Sequence, residues 1–338
     1  MNILLTSVGR RNYIVSYFQE ALKPFGGKVF AVNSSLDSPA MWIADGSAQS
    51  PLIYDIQYPL FLLNYCLEND IKLVISLFDI DLPVLSKHKE AFIQKGITIV
   101  VGDEWLTKTA NDKWLTQEFL KTNDFETVKT FLSIADFVAS YNNEEISFPV
   151  FVKPRWGMGS ISVFKASDME ELQFYFNKAK KEIANTYLKY ESLNIDEAIM
   201  IQAAMEGQEY GIDVINDLEG NYITAIVKQK LVMRSGETDV AVTVDEPILK
   251  QLAEKLGKLS KHPGNMDVDV FFDGKTPYIL ELNPRFGGGY PFSHQAGINL
   301  PNAIVHWHLK RTVNFEEWLT PKIGVKSMKG IAIISQSN

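Results

Sequence analysis

The residues from Asn265 to Gly297, NMDVDVFFDGKTPYILELNPRFGGGYPFSHQAG, constrain the fold of this chain more than any other stretch. DVDVFF and PYILELN are apolar, β-branched and aromatic runs, and Asp273-Gly274-Lys275-Thr276 between them is turn chemistry, so the pair reads as a hairpin. Side chains alternate along a strand, which puts Glu281 and Asn283 on one face. If the turn closes between Asp273 and Pro277, equal counting back places Asp269 opposite Glu281. Two carboxylates and an amide oxygen then converge, with no Cys and no nearby His. An oxygen-only set suits a hard cation such as Mg²⁺, which usually shares its shell with phosphates. Arg285 follows within reach of an anion, and Gly287-Gly288-Gly289 lets the backbone approach a ligand closely. In the absence of metal the carboxylates are expected to repel one another.

Upstream, the first hundred residues alternate strand and helix signals. NILLTS, KVFAVNS, LVISLF and ITIVVGD read as strands, and NYIVSYFQEAL, FLLNYCLEND and LPVLSKHKEAFIQKG as helices. Such alternation implies a doubly wound parallel sheet. The first turn, S-V-G-R-R-N, is not the G-x-G-x-x-G of a dinucleotide site, and two arginines stand where a pyrophosphate needs close backbone approach. A nicotinamide oxidoreductase is therefore disfavoured. Ligands bind at the carboxyl ends of such strands, which nominates Gly9, Arg10, Asp79 and Asp81.

Residues 103–122 read as an amphipathic helical region carrying Lys113. In FPVFVKPRWGMGSISVFKA, Lys153 ends a strand beside the flexible loop Gly157-Met158-Gly159-Ser160, whose amides can fold over phosphates. No G-K-[ST] opens a helix here, so this is not a Walker A loop. Residues 167–190 read as a charged helix. IMIQAA and EYGIDVI are strands around Glu206-Gly207, and two more strands follow in ITAIVKQKLVMRSGETDVAVTVDEP. There Lys230 and Arg234, four apart, are expected on one face, available to a γ-phosphate or an acidic substrate. PILKQLAEKLGKLS is an amphipathic helix. His306 and His308 are two apart in a helix and cannot share a face, and His294 is assigned a structural role. GIAIISQ reads as the last strand.

Length and composition set outer limits. The 338 residues suffice for two or three domains, and 46% hydrophobic residues is ordinary for a globular chain. A net charge of −8 gives no support to a nucleic-acid or anionic-membrane partner. The single cysteine, Cys66, excludes an internal disulfide or a thiolate zinc site. No apolar run reaches the ~18 residues of a membrane span, and the start lacks a signal-peptide pattern. A reducing cytoplasm is the expected compartment, and a homodimer is left open.

Glu281-x-Asn283-Pro284-Arg285 followed by three glycines resembles the E-x-N-P-R element of the ATP-grasp superfamily. The closest likeness is to the branch related to one half of the carbamoyl-phosphate synthase large subunit and to stand-alone amide-forming ligases. Lys113, Lys153 with its glycine loop, and Glu209 stand upstream in that family's order, so the resemblance covers roughly residues 105–300. It implies α/β and α+β architecture: an N-terminal α/β domain (1–112) that helps bind the acceptor, a small lid lobe (113–198) and a large lobe with the metal site (199–338). It implies ATP and Mg²⁺, or Mn²⁺, as cofactors. Lys113, Lys153, Gly157, Gly159 and Ser160 would contact the nucleotide phosphates, Gln202, Ala203, Ala204 and Met205 the adenine, and Glu209 the ribose. Asp269, Glu281 and Asn283 would hold metal, and Arg285, Lys230 and Arg234 would act in catalysis. Gly9, Arg10, Asp79 and Gly287–Gly289 would bind a small-molecule carboxylate and an amine. The implied activity is ADP-forming carboxylate–amine ligation through an acylphosphate. A carbamoyl-phosphate-synthase-like subunit is one alternative, and a non-catalytic nucleotide-binding protein is another.

Overall fold

Five short runs rich in β-branched and small residues, β1 (Asn2–Thr6), β2 (Val29–Asn33), β3 (Gly46–Gln49), β4 (Ile71–Ser76) and β5 (Thr98–Val100), pair in parallel in the order β3-β2-β1-β4-β5. The computed structural model describes residues 1–335 apart from Met158, Ser160, Leu193 and Ser235. Alternation along β1 sends Ile3 and Leu5 to one face and Leu4 to the other, and each face has its own core. On one side lie the helices Tyr58–Glu68 and Asp81–Ile93. On the other lie Asn12–Leu22 and, from the far end of the chain, Leu300–His308. β3 was absent from the sequence reading because GSAQ is small and polar, with no apolar run to announce it.

Four strands, β6 (Thr130–Phe131), β7 (Val150–Pro154), β8 (Phe164–Ala166) and β9 (Ile199–Ala203), form an antiparallel sheet in the order β6-β9-β7-β8. The helix Met169–Ile183 packs on it through Leu172, Phe176 and Ala179. A third sheet has the order β14-β13-β10-β11-β12-β15. Its strands are β10 (Gln208–Asn216), β11 (Tyr222–Arg234), β12 (Glu237–Val244), β13 (Gly264–Phe272), β14 (Pro277–Asn283) and β15 (Lys326–Met328). The helix Pro247–Ser260 closes one of its faces with Leu249, Leu252 and Leu256. The chain crosses from the four-stranded to the six-stranded sheet at 204–207, since β9 still pairs with β6 and β7.

Two local readings are corrected. The region 103–122 is two helices, Glu104–Asn111 and Lys113–Thr122, because Asp112 adopts an extended conformation and caps the second by accepting from the Trp114 and Leu115 amides. The final strand is the three-residue β15. The GIAIISQ segment has no regular structure over its described residues, and Ile331 and Ile333 are almost fully exposed there. β12 already has its outer partner in Lys326–Met328, and GIAIISQ pairs with no described strand.

Where β5 meets the start of β13, His262 is buried, and burial pushes its pKa down to about 3. The unfolded chain therefore binds a proton there between about pH 6.5 and about 3 that the native protein does not, so stability falls as pH falls through that window. We expect His262→Gln to flatten the acid limb of stability by up to about 1.4 kcal/mol per pH unit, read from urea unfolding across that range. An unchanged slope would mean that His262 titrates normally in the native state.

Candidate active site

The β13–β14 hairpin builds one wall. Met266, Val268, Val270 and Phe272 enter the core under the helix Pro247–Ser260, so Asn265, Asp267 and Asp269 face the opposite way. On β14 both Ile279 and Leu282 reach that same core, although residues three apart in a regular strand face opposite ways. The register resolves this: Val270 pairs with Ile279 but Asp269 pairs with Glu281, leaving Leu280 as an extra residue. The bulge turns Glu281 and Asn283 toward Asp269 and Asp267. Counting from the turn reached the same Asp269–Glu281 pairing, yet the closing pair is Phe272–Pro277 and the bulge supplies the missing residue.

Neighbouring strands add charge to this face. β10 contributes Glu209, Gly211 and Asp213, and β11 contributes Lys228 and Lys230, with Gly211 registered against both Asp269 and Lys228. Lys230 Nζ lies 2.5 Å from Glu209 Oε1 and 2.6 Å from Asp269 Oδ1. Burial alone would lower the Lys230 pKa, but Asp269 and Glu209 outweigh it and hold the ammonium charged. Asp269 is itself pushed up to about 6, by burial first; Lys230 opposes this, while Asp267 and Glu281 add to it.

The four-stranded sheet supplies cations from the other side. Val150 and Val152 of β7 point into its core with Ile199 and Ile201 of β9, so Lys153, Met200 and Gln202 share the opposite face. Burial, with Lys113 adding to it and Glu281 opposing, brings the Lys153 pKa down to about 8. Lys113, at the first turn of its helix, lies 3.4 Å from Glu281 Oε1 and donates to the Gly157 carbonyl at 2.5 Å. Burial works to raise the Glu281 pKa, yet Lys113 and Lys153 more than offset it and the net shift is downward. The expected mutual repulsion of carboxylates is thus corrected: it survives at Asp269, whereas Glu281 is held by lysines.

A third group of charges sits between β1 and β4, where the parallel order reverses. Arg285 donates through Nε and Nη2 to Asp79 Oδ2, at 3.0 and 2.7 Å, and lies 3.4 Å from Asp267 Oδ2. These carboxylates raise its pKa despite the opposing effect of burial. Arg11 donates through Nη1 to the carbonyls of Leu77 and, at 3.1 Å, Phe286. Burial, then Arg285, lowers its pKa, and no carboxylate lies within ion-pair distance of it among the described residues. Gly287 is fixed by space: a Cβ there would sit 2.1 Å from Asp267 Oδ2. A cavity of about 170 Å³ opens between these walls.

The sequence-nominated residues divide accordingly. Lys230, Asp269, Glu281, Asn283, Arg285, Gly159, Gly288 and Gly289 line the cavity, and Lys113, Lys153 and Glu209 are bound to or shifted by those residues. Asp79 and Gly287 stand behind it, positioning Arg285 and Asp267. Asp81 is wholly buried and accepts from Thr6, Ser7 and Ser76, tying β1 to β4. Gly9 and Arg10 are not brought to the cavity; Arg10 is exposed and Arg11 occupies the wall instead. Arg234 is also outside it, exposed and 2.9 Å from Asp239, because register breaks on either side of Val232 put it out of step with Lys230. Ser160 lies outside the described residues. Gln202 donates to Thr130 Oγ1 at 3.0 Å, and the Ala203 and Ala204 amides are taken by the Lys129 and Pro149 carbonyls, with Met205 next in the crossing. His294 stacks on Tyr17 with ring centroids 3.6 Å apart. Asp267, Asp213, Lys228 and Arg11 were missed, although the first three stand at two- or four-residue spacing from nominated ones and strand period alone would have found them.

Residues 3–100 match the family model described as PylC-like, N-terminal domain, and residues 196–331 match ATP-grasp in the biosynthetic pathway with Ter operon. The large chain of carbamoyl phosphate synthase from Clostridium acetobutylicum is 25% identical over 151 residues, 42% of this chain but only 13% of that protein. The biotin carboxylase domain of the Hydrogenobacter thermophilus 2-oxoglutarate carboxylase, solved with MgADP, ADP and bicarbonate, superposes with a TM-score of 0.73 at 15% identity, covering 96% of this chain and 73% of that one. An L-amino acid ligase from Bacillus licheniformis gives 0.71 at 20% identity over 96% and 79%. N5-carboxyaminoimidazole synthetase from Staphylococcus aureus, with ADP, gives 0.69 at 15% over 93% and 78%. Fold, ordered motifs and both family matches point the same way: residues 196–331 match an ATP-grasp family model, residues 3–100 match a PylC-like N-terminal domain, and the fold is shared with these solved structures over most of the chain. No helix among the described residues is long and apolar enough to cross a membrane.

The Asp79–Arg285 pair joins the N-terminal sheet to the site, and both partners are largely buried. Asp79→Ala should lower unfolding stability by on the order of 3 kcal/mol, since it leaves a buried guanidinium with only the longer contacts to Asp267 and the Phe286 carbonyl. Denaturant unfolding checks this, and a loss within about 0.5 kcal/mol would show that the pair is dispensable.

Proposed function

We propose that this chain is an ATP-dependent, ADP-forming ligase that joins a small-molecule carboxylate to an amine or related nucleophile through an acylphosphate. One observation carries the reading. Lys113 and Lys153, from the small lobe, reach Glu281, which lines one cavity with Asp269 and Asn283 on the large sheet, so phosphate-binding cations and cation-binding oxygens stand together. On this reading residues 1–112 serve the acceptor, the small lobe begins at 113 and runs on through β9, and the large lobe extends to 338.

Among the described residues no three His, Cys, Asp or Glu side chains are grouped so as to hold a metal ion unaided. The donor set nonetheless fits Mg²⁺ or Mn²⁺, because Asp269, Glu281 and Asn283 offer oxygens only, and crowding by Asp267 and Glu281 helps hold the Asp269 carboxyl up to about 6. These three would hold the ion, with nucleotide phosphates completing its shell, and the ion would supply charge neutralisation.

The chain's own groups do the rest. Lys113 and Lys153 bind the triphosphate, Glu209 takes the ribose hydroxyls and the 202–205 segment, from the end of β9 into the crossing, takes the adenine edge. A substrate carboxylate oxygen attacks the γ-phosphorus, and the bond to the β-phosphate oxygen breaks to release ADP. The nucleophile's nitrogen then bonds to the acyl carbon, phosphate leaves, and the amine's proton passes to phosphate or solvent. Phosphoryl transfer asks chiefly for alignment and charge compensation, which lysines and an arginine supply without a protein nucleophile. Arg285 already has two carboxylates, so it orders the wall, while Arg11, with no carboxylate at ion-pair distance among the described residues, is the better partner for the substrate's carboxylate.

MgATP or MgADP should stabilise the protein against heat and NADH should not. Nucleotide at ~100 times its dissociation constant adds about 2.7 kcal/mol. A shift with NADH and none with MgATP would defeat the proposal.

A further inference from the structure

The turn that follows the lid helix, Tyr187–Tyr190 with Glu191 after it, touches three separate parts of the molecule. Tyr54, in the loop after β3 of the N-terminal domain, donates to Glu191 Oε1 at 2.7 Å and stacks on Tyr190 with centroids 4.6 Å apart. Asn111 donates to Glu191 Oε2 at 3.0 Å, so the carboxylate grips two donors that belong to different elements. Asn111 ends the helix immediately before Asp112 and Lys113, and Asp112 in turn accepts from Arg155 at 2.6 and 3.1 Å. Leu188, in the same turn, is buried against Gly157: a Cβ on that glycine, whose φ is +96°, would meet Leu188 Cδ2 at 2.9 Å. Phe78, one residue before Asp79, lies edge-on to Tyr187 with centroids 6.4 Å apart.

We propose that Glu191 is a positioning residue that straps the small lobe to the N-terminal domain, fixing Gly157 through Leu188 and Lys113 through Asn111. The strap sits outside the cleft and touches neither nucleotide nor acceptor. Its effect is to hold the phosphate side of the cleft in place only while Tyr54 and Asn111 are docked on it. The inference about nucleotide retention rests on the proposed function; the inference about Gly157 does not.

The test uses the whole chain in two arms. In the ligand-free protein, Glu191→Ala and Tyr54→Ala should each speed amide hydrogen exchange at Trp156 and Gly157 at least about threefold, with exchange in β1 and β13 unchanged. With a fluorescent MgADP analogue as probe, the same variants should release nucleotide roughly three- to tenfold faster, and Glu191→Gln should recover part of the loss because its amide oxygen still accepts one of the two bonds. Unaltered exchange at Gly157 in both alanine variants would overturn the strap, as would exchange that rises equally everywhere, since that is the mark of a merely structural residue. If the parent protein fails to bind the MgADP analogue, the ligase reading falls, and the exchange arm alone decides the strap.

Discussion

Acidic side chains at every second position of adjacent β-strands must all point the same way, and here that direction is inward. Glu209 and Asp213 on β10, Asp267 and Asp269 on β13 and Glu281 on β14 share one face of the six-stranded sheet. Burying such a face is unfavourable unless each carboxylate finds a donor or a counter-charge. The cations come from every part of the chain. Lys228 and Lys230 come from the next strand, Arg285 from the hairpin's end, and Lys113 from the small lobe. Asp79 of the N-terminal domain then shares Arg285. The lobes are held together at the site by the same charges that would do its chemistry.

That arrangement gives the ligand-free protein a cleft already ordered for charge. A triphosphate with a divalent ion arrives as an anion and a cation together, so it can exchange partners with the existing pairs and adds less net charge to the site than a bare triphosphate would. Lys230 between Glu209 and Asp269 occupies the position where such an exchange would occur, and burial, with Asp267 and Glu281 adding to it, holds the Asp269 carboxyl up to about 6 despite Lys230. Arg11 differs from the others in kind. It is part-buried, held by main-chain carbonyls and without a carboxylate at ion-pair distance among the described residues, which leaves its charge available to an anion entering from the acceptor side.

Most of the fold was legible because its signals are local. Apolar alternation located the β13–β14 hairpin, and the strand–helix rhythm located the parallel sheet. What escaped was set by context. β3 is an edge strand of small polar residues that gains its conformation from β2, and β15, not GIAIISQ, is the last strand. At the site, Asp269, Glu281 and Asn283 were found because one strand's period places them. Arg234 was misplaced because the same period was assumed to run unbroken through a strand with register breaks. Arg10 in place of Arg11 is a one-residue error in a turn, where no periodicity applies. The pairing of Glu281 with Lys113 spans half of the chain, and no local rule reports it.

The central claim is that the cleft between the four- and six-stranded sheets receives nucleotide phosphates. An experimentally determined structure with MgADP tests it most directly. The account predicts density for the β-phosphate between Lys113 and Lys153, metal density on Asp269, Glu281 and Asn283, and Lys230 withdrawn from Asp269. Nucleotide density in the crevice at the carboxyl ends of β1 and β4, beside Gly9, with the Lys230–Asp269 and Lys113–Glu281 pairs intact, would contradict it.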